Sequence, residues 1–143
     1  MKKYFALLFL LIFLPANIAQ AAEVFFDREK NTMAANQQFE LPLYLDTEDQ
    51  PINAFEGEII FPSNLLKVKE IRYHDSFINF WIEQPSVQNN KINFSGIIPG
   101  GYLGNKSLVL SVIFEALEIG QGEISFDHLR VLLNDGAGTD TIV

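Results

Sequence analysis

From Phe39 onward the chain alternates. In Phe39-Glu40-Leu41-Pro42-Leu43-Tyr44-Leu45-Asp46 every odd position is apolar, and the even positions carry Glu40, Pro42, Tyr44 and Asp46. Successive side chains of an extended strand point to opposite faces, so this period of two predicts a half-buried strand. Pro42 lacks an N–H, which places its nitrogen on an unpaired side of that strand. Asn53 to Phe61 repeats the pattern, with Phe55, Gly57, Ile59 and Phe61 inward and Glu56 and Glu58 outward. Leu66 and Val68 share one register and Ile71 and Tyr73 another, which predicts a β-bulge near Lys69-Glu70. Phe80 to Ser86 and Lys91 to Gly96 read as a pair turning at Asn89-Asn90. Leu108, Leu110, Val112, Phe114 and Ala116 line one face of what reads as the longest strand. Gly120-Gln121-Gly122 leads into a strand over Glu123 to Phe126, and Thr139 to Val143 reads as a short closing strand. With Glu23 to Phe26 as the first, about nine strands result, and no segment keeps a helical period over three turns; Pro62 to Val68 has room for a single turn. Many short strands at this spacing predict an all-β, two-sheet antiparallel sandwich.

The ends change the picture. Lys2 and Lys3 precede an apolar run from Tyr4 to Leu14, Pro15 breaks it, and Ala19-Gln20-Ala21 supplies a small-x-small cleavage pattern. Residues 1–21 are therefore read as a signal peptide and residues 22–143 as one exported domain; an uncleaved anchor is the alternative. No second apolar segment is long enough for a membrane span, so none remains after cleavage. Without Lys2 and Lys3 there are 8 basic against 18 acidic residues, and the formal charge moves from −8 to −10. Binding to a phosphate backbone depends on Lys and Arg replacing counterions, so this balance points away from nucleic acid. An exported chain without cysteine holds itself by packing alone, which fits a bacterial-type secretion route and removes thiol catalysis.

Candidate chemistry is sparse. His74-Asp75-Ser76 contains the residue types of a triad, but adjacent residues alternate in direction, whereas a triad converges from separate segments. His128 beside Asp127 suggests an acid–base pair, yet no Gly-x-Ser-x-Gly nucleophile accompanies it. Glu56 and Glu58 share a strand face, which offers no cleft of the kind glycoside hydrolysis uses. Asp46, Glu48 and Asp49 crowd one loop and Asn134, Asp135 and Asp140 another, without the twelve-residue calcium spacing. No catalytic residue, metal ligand or cofactor is assigned. The glycine-rich stretch Gly96 to Gly104 invites a phosphate-binding reading, but that requires a helix after the glycines. Ser107 to Ala116 reads as a strand, so Ile97 to Lys106 is taken as a strand-to-strand connection. In it Gly100 and Gly101 supply turn conformations after Pro99, and Tyr102 stands at the tip.

The order of these motifs resembles the cohesin domain, the receptor module of bacterial cellulosome scaffolds. The residues that carry the resemblance are the polar turn Asn31 to Gln38 leading into Phe39 to Leu43, and Ile52 to Val68 with its corner at Pro62-Ser63-Asn64-Leu65. Lys91 to Gly96 with the apolar strand ending at Phe114-Glu115-Ala116 adds to it, as does Gly120-x-Gly122 before Ile124-Ser125-Phe126 with Asp135-Gly136 near the end. The Pro99-Gly100-Gly101-Tyr102 loop and the Asn134 to Thr139 segment depart from the usual pattern, which marks a divergent, single-domain member. The resemblance implies a nine-stranded jelly roll, no catalysis, and a dockerin-type protein partner in polysaccharide-degrading or cell-surface assemblies. It also implies a binding face on the third, fifth, sixth and eighth strands, whose outward residues here are Glu56, Glu58, Glu83, Asn93 and Ser95, with Tyr102 as a further contact. The alternative is a carbohydrate-binding module of the same superfamily, stacking a polysaccharide on Trp81 and Tyr102. A surface-assembly domain is a third reading.

Overall fold

The alternation becomes two stacked antiparallel sheets. In the computed structural model the described residues are 21–27 and 32–141, so the signal-peptide reading of residues 1–20 lies outside them, as do Asn31 and residues 142–143. Nine strands follow one another: β1 Glu23–Phe26, β2 Gln38–Asp46, β3 Ile52–Ile60, β4 Leu66–Arg72, β5 Phe80–Gln88, β6 Lys91–Tyr102, β7 Ser107–Ala116, β8 Ser125–Leu133 and β9 Asp140–Thr141. There is no helix among the described residues. One sheet has the order β1-β2-β7-β4 and the other β5-β6-β3-β8-β9. The expected single turn after Pro62 is present, since its carbonyl accepts from Leu65 N and Leu66 N at 2.9 Å each.

The inward positions of both sheets meet in one core. Leu41, Leu43 and Leu45 of β2 and Leu110, Val112 and Phe114 of β7 face Ile52, Phe55 and Ile59 of β3, Ile92 and Phe94 of β6, and Val131 of β8, all at most 5% exposed. Burying a side chain of this size stabilises by about 1.5–3 kcal/mol, which makes this layer the main source of cohesion in a chain without disulfides. Aromatic pairs cross it, with Phe61 and Phe114 at 5.4 Å and Phe26 and Phe126 at 4.5 Å between ring centroids. Pro42 sits where the pattern required. Its carbonyl accepts from Asp27 N, so its nitrogen also faces β1, one residue beyond the last ladder pair Phe26↔Leu43.

Four expectations need correction, and each traces to a bulge or an end. The segment Ile97 to Lys106 is not a connection: β6 continues to Tyr102 and is the longest strand, and only residues 103–106 turn. It continues because Gly100 (φ 90°) and Gly101 (φ 84°) absorb a wide bulge, in which Ala54↔Ile97 is followed by Ile52↔Tyr102. Tyr102 is accordingly no loop tip. The strand expected at Glu123 to Phe126 starts at Ser125 and runs on to Leu133, because a bulge between the pairs Glu58↔Asp127 and Glu56↔Arg130, with His128 at φ 50°, interrupts its alternation. In β7 a register shift opposite Leu43/Tyr44 buries Val109 completely and leaves Leu108 only half-buried. The closing strand starts at Asp140 rather than Thr139, and the end expected for it, at residues 142–143, lies outside the described residues. The bulge expected near Lys69-Glu70 is present, between Val68 and Glu70.

Candidate functional site

The outer face of the five-stranded sheet collects the outward residues singled out in the sequence. Strand register sorts them into rows that cross β5, β6, β3 and β8. One row reads Glu83, Ser95, Glu56, Arg130, and the next reads Ser86, Asn93, Glu58, Asp127. Residues opposed in this way share a face and touch. Above the polar rows lies an apolar one of Phe80, Ile97, Ala54 and Leu132. Phe80 is 57% exposed, and Ile82, the extra residue of the bulge between Trp81 and Glu83, is 65% exposed. The face is therefore amphipathic, polar across its middle and greasy toward one end.

Its charges are paired in two groups. The Arg130 guanidinium reaches Glu56 at 2.9 Å and Asp140 at 3.1 Å. In the neighbouring row Lys91 donates to Glu58 and lies 3.9 Å from Asp127. His128 Nδ1 lies 3.5 Å from the same Glu58 carboxylate and 3.4 Å from Asp127. The hydrogen bond from the Lys91 ammonium is the main cause holding the Glu58 carboxyl below the usual range, with His128 adding to it against a partial loss of hydration. Glu58 in turn raises the Lys91 ammonium. Glu83 makes no ion pair among the described residues, and the Asn93 Oδ1 atom is buried with no hydrogen-bond partner.

The aromatic candidates lie elsewhere. Trp81 opposes Gly96 on the inner face, is half-buried, and presents an edge to Tyr73 at 5.6 Å. Tyr102 stacks on Phe77 at 4.4 Å and shares a 2.7 Å hydrogen bond with Ser107 Oγ. The structure thus brings Glu56, Glu58, Glu83, Asn93 and Ser95 together and leaves Trp81 and Tyr102 apart from them. Lys91, Arg130 and the exposed pair Phe80 and Ile82 were absent from the sequence reading of this face. The apolar run Phe80-Trp81-Ile82 was a visible signal, since alternation alone puts Phe80 and Ile82 on one face; the bulge that brings Glu83 onto that face as well was not.

The other candidate groups resolve into local structure. In the His74-Asp75-Ser76 segment Ser76 N donates to Tyr73 O, and Ser76 Oγ accepts from Ile78 N, which makes it a turn. Asp46 Oδ1 accepts from Glu48 N in its own loop. The Asp135 carboxylate accepts from Ala137 N, Gly138 N and the Thr139 hydroxyl, and these bonds, the Thr139 one foremost, hold it below its usual range.

No protein-family model matches the chain, and no curated protein matches its sequence. Solved structures do match. A chain of the type I cohesin–dockerin complex Coh-OlpC–Doc435 from Clostridium thermocellum is similar over 91% of this chain and 92% of its own, with a TM-score of 0.68 at 14% identity. A non-cellulosomal cohesin from the archaeon Archaeoglobus fulgidus is similar over 87% and 85%, with a TM-score of 0.67 at 14% identity. The cohesin module of a family 33 glycoside hydrolase from Clostridium perfringens covers 86% and 90%, with a TM-score of 0.64 at 13% identity. The chain is a divergent, cohesin-like β-sandwich, and at these identities the likeness is one of fold.

Proposed function

We propose that the protein is an exported, non-catalytic cohesin-like module that docks a dockerin-type protein partner with the outer face of the β5-β6-β3-β8 sheet. The observation that carries the reading is the amphipathic face itself, an exposed Phe80 and Ile82 beside two registered polar rows. Exposed aromatic anchors next to polar groups are what protein interfaces use for affinity and orientation. Several of the solved structures that share the fold are complexes with dockerins, which supports a partner of that type. Export rests on the amino-terminal pattern; among the described residues no helix is long and apolar enough to cross a membrane. Glu56, Glu58, Glu83, Asn93 and Ser95 form the polar part of the contact. Tyr102, stacked on Phe77 and hydrogen-bonded to Ser107, stands apart from it.

Capture of dockerin-bearing proteins on the immobilised chain, with and without a calcium chelator, tests the reading. Chelator-sensitive capture that is lost in Phe80→Glu supports it; capture by neither the parent chain nor any variant sinks it. The carbohydrate-binding alternative rests on Trp81 and Tyr102, whose rings already have aromatic neighbours. Retention on cellulose that disappears in Trp81→Ala would favour that alternative instead.

A further inference from the structure

We propose that Glu58, Asp127 and His128 form a binding site for a divalent first-row transition ion, of which Zn2+ is the natural probe. One ligand atom from each, two carboxylate oxygens and an imidazole nitrogen, lie within 4.8 Å of one another. They come from two adjacent strands: Glu58 opposes Asp127 in register, and the bulge that follows turns the next residue, His128, back toward both carboxylates. On a regular strand the residue after Asp127 would point to the opposite face.

The donor set selects the ion. Calcium and magnesium favour oxygen ligands alone, whereas an imidazole with carboxylates suits zinc and its neighbours, and three protein ligands leave a position for water. Lys91 is the built-in competitor, because its ammonium holds the same Glu58 carboxylate. Its flexible stem lets the ammonium swing away when a metal arrives, so the site trades one cation for another.

The test needs no protein partner, so its outcome is independent of the docking reading. The tag-free chain is titrated with ZnCl2 calorimetrically at neutral pH. One ion per chain is expected, and loss of a direct ligand in His128→Ala should weaken binding by more than about tenfold, the scale on which even supporting groups around a metal act. His74→Ala, which alters the only other histidine, should leave binding unchanged, and Lys91→Met should tighten it severalfold by removing the competitor. Uptake that His128→Ala leaves intact, equal losses in the two histidine variants, weaker binding in Lys91→Met, or no saturable uptake at all would each overturn the site.

Discussion

The two outer faces of the sandwich solve the same problem differently. On the β1-β2-β7-β4 sheet the charges settle among near neighbours: Lys69 with Glu115 at 3.3 Å, and Arg72 with Glu70 at 3.0 Å and Glu40 at 3.8 Å. Phe25 there stacks on Tyr44 and Lys106 covers the same ring. The β5-β6-β3-β8-β9 sheet pairs its charges too, but among the described residues it leaves Glu83 and the Asn93 oxygen unpaired and Phe80 and Ile82 in solvent. Its ladders β3–β6, β3–β8 and β5–β6 shift register once, twice and twice, against one shift each in β2–β7 and β4–β7 of the other sheet. A regular sheet fixes which side chains face out, and a bulged one can re-aim them singly. Under the proposed function, the more often bulged sheet is the one used for recognition. Even so its edge is guarded, since β5 carries Pro85 and two register shifts, features that discourage pairing with another strand.

The largest expected effect breaks the comparison outright. Phe80→Glu combined with Glu83→Lys on the bulged face should cost partner capture at least about 2 kcal/mol, roughly thirtyfold in affinity. Glu70→Lys on the opposite face should leave capture unchanged. Surface plasmon resonance with the captured dockerin protein decides, and equal losses on both faces would remove the distinction.

Smaller effects sharpen it through stability. A methyl group at Gly96 would meet Ile78 Cγ2 at 2.4 Å and Phe80 O at 3.3 Å, so Gly96→Ala should lower the unfolding free energy by about 1–3 kcal/mol, the usual range for overpacking. Gly101→Ala meets both a left-handed φ and the Asn134 side chain at 2.3 Å, whereas Gly100→Ala meets the φ alone. Left-handed backbone costs a non-glycine residue about 1–2 kcal/mol; Gly101→Ala should exceed that figure and Gly100→Ala fall within it. Urea unfolding measures all three, and a Gly100 variant worse than the Gly101 variant would contradict the packing at Asn134.

Acid gives the smallest effect. Glu58 on one face and Glu115 on the other are both held below their ordinary 4.5, by Lys91 and by Gln38 with Lys69 respectively. A carboxyl whose folded value is depressed stabilises the fold fully above its unfolded value, and that share is lost as the pH falls through the folded value. Thermal midpoints should therefore drop below about pH 4.5, less steeply in Glu58→Gln and Glu115→Gln. High salt should weaken the Glu58 share, held first by an ammonium, more than the Asp135 share, held by a hydroxyl and backbone N–H groups. An Asp135 share just as sensitive to salt would place its cause elsewhere.

Period-two patterning made the sandwich legible, since Phe55, Ile59 and Leu43 declare their face by position alone. It failed wherever a backbone departed from the pleat. Gly100 and Gly101 look the same in a loop as in a wide bulge, and a tightly turned His128 looks the same as the end of a strand. Of the candidate face, Glu56, Glu58, Glu83, Asn93 and Ser95 were readable as outward residues. The partners that complete it were not, because Arg130 and Glu56 are 74 positions apart and His128 and Glu58 are 70. Only register brings them together.

Ala22, 2% exposed, donates its backbone N–H to Thr141 Oγ1 at 3.1 Å. The first strand and the last therefore meet at a shared seam between the two sheets, and the fold is almost a closed ring. A circular permutant that joins this seam by a short linker and opens the chain in the exposed stretch 118–123 is then expected to keep the same sandwich. It would present the bulged face unchanged while moving its points of attachment to another part of the surface.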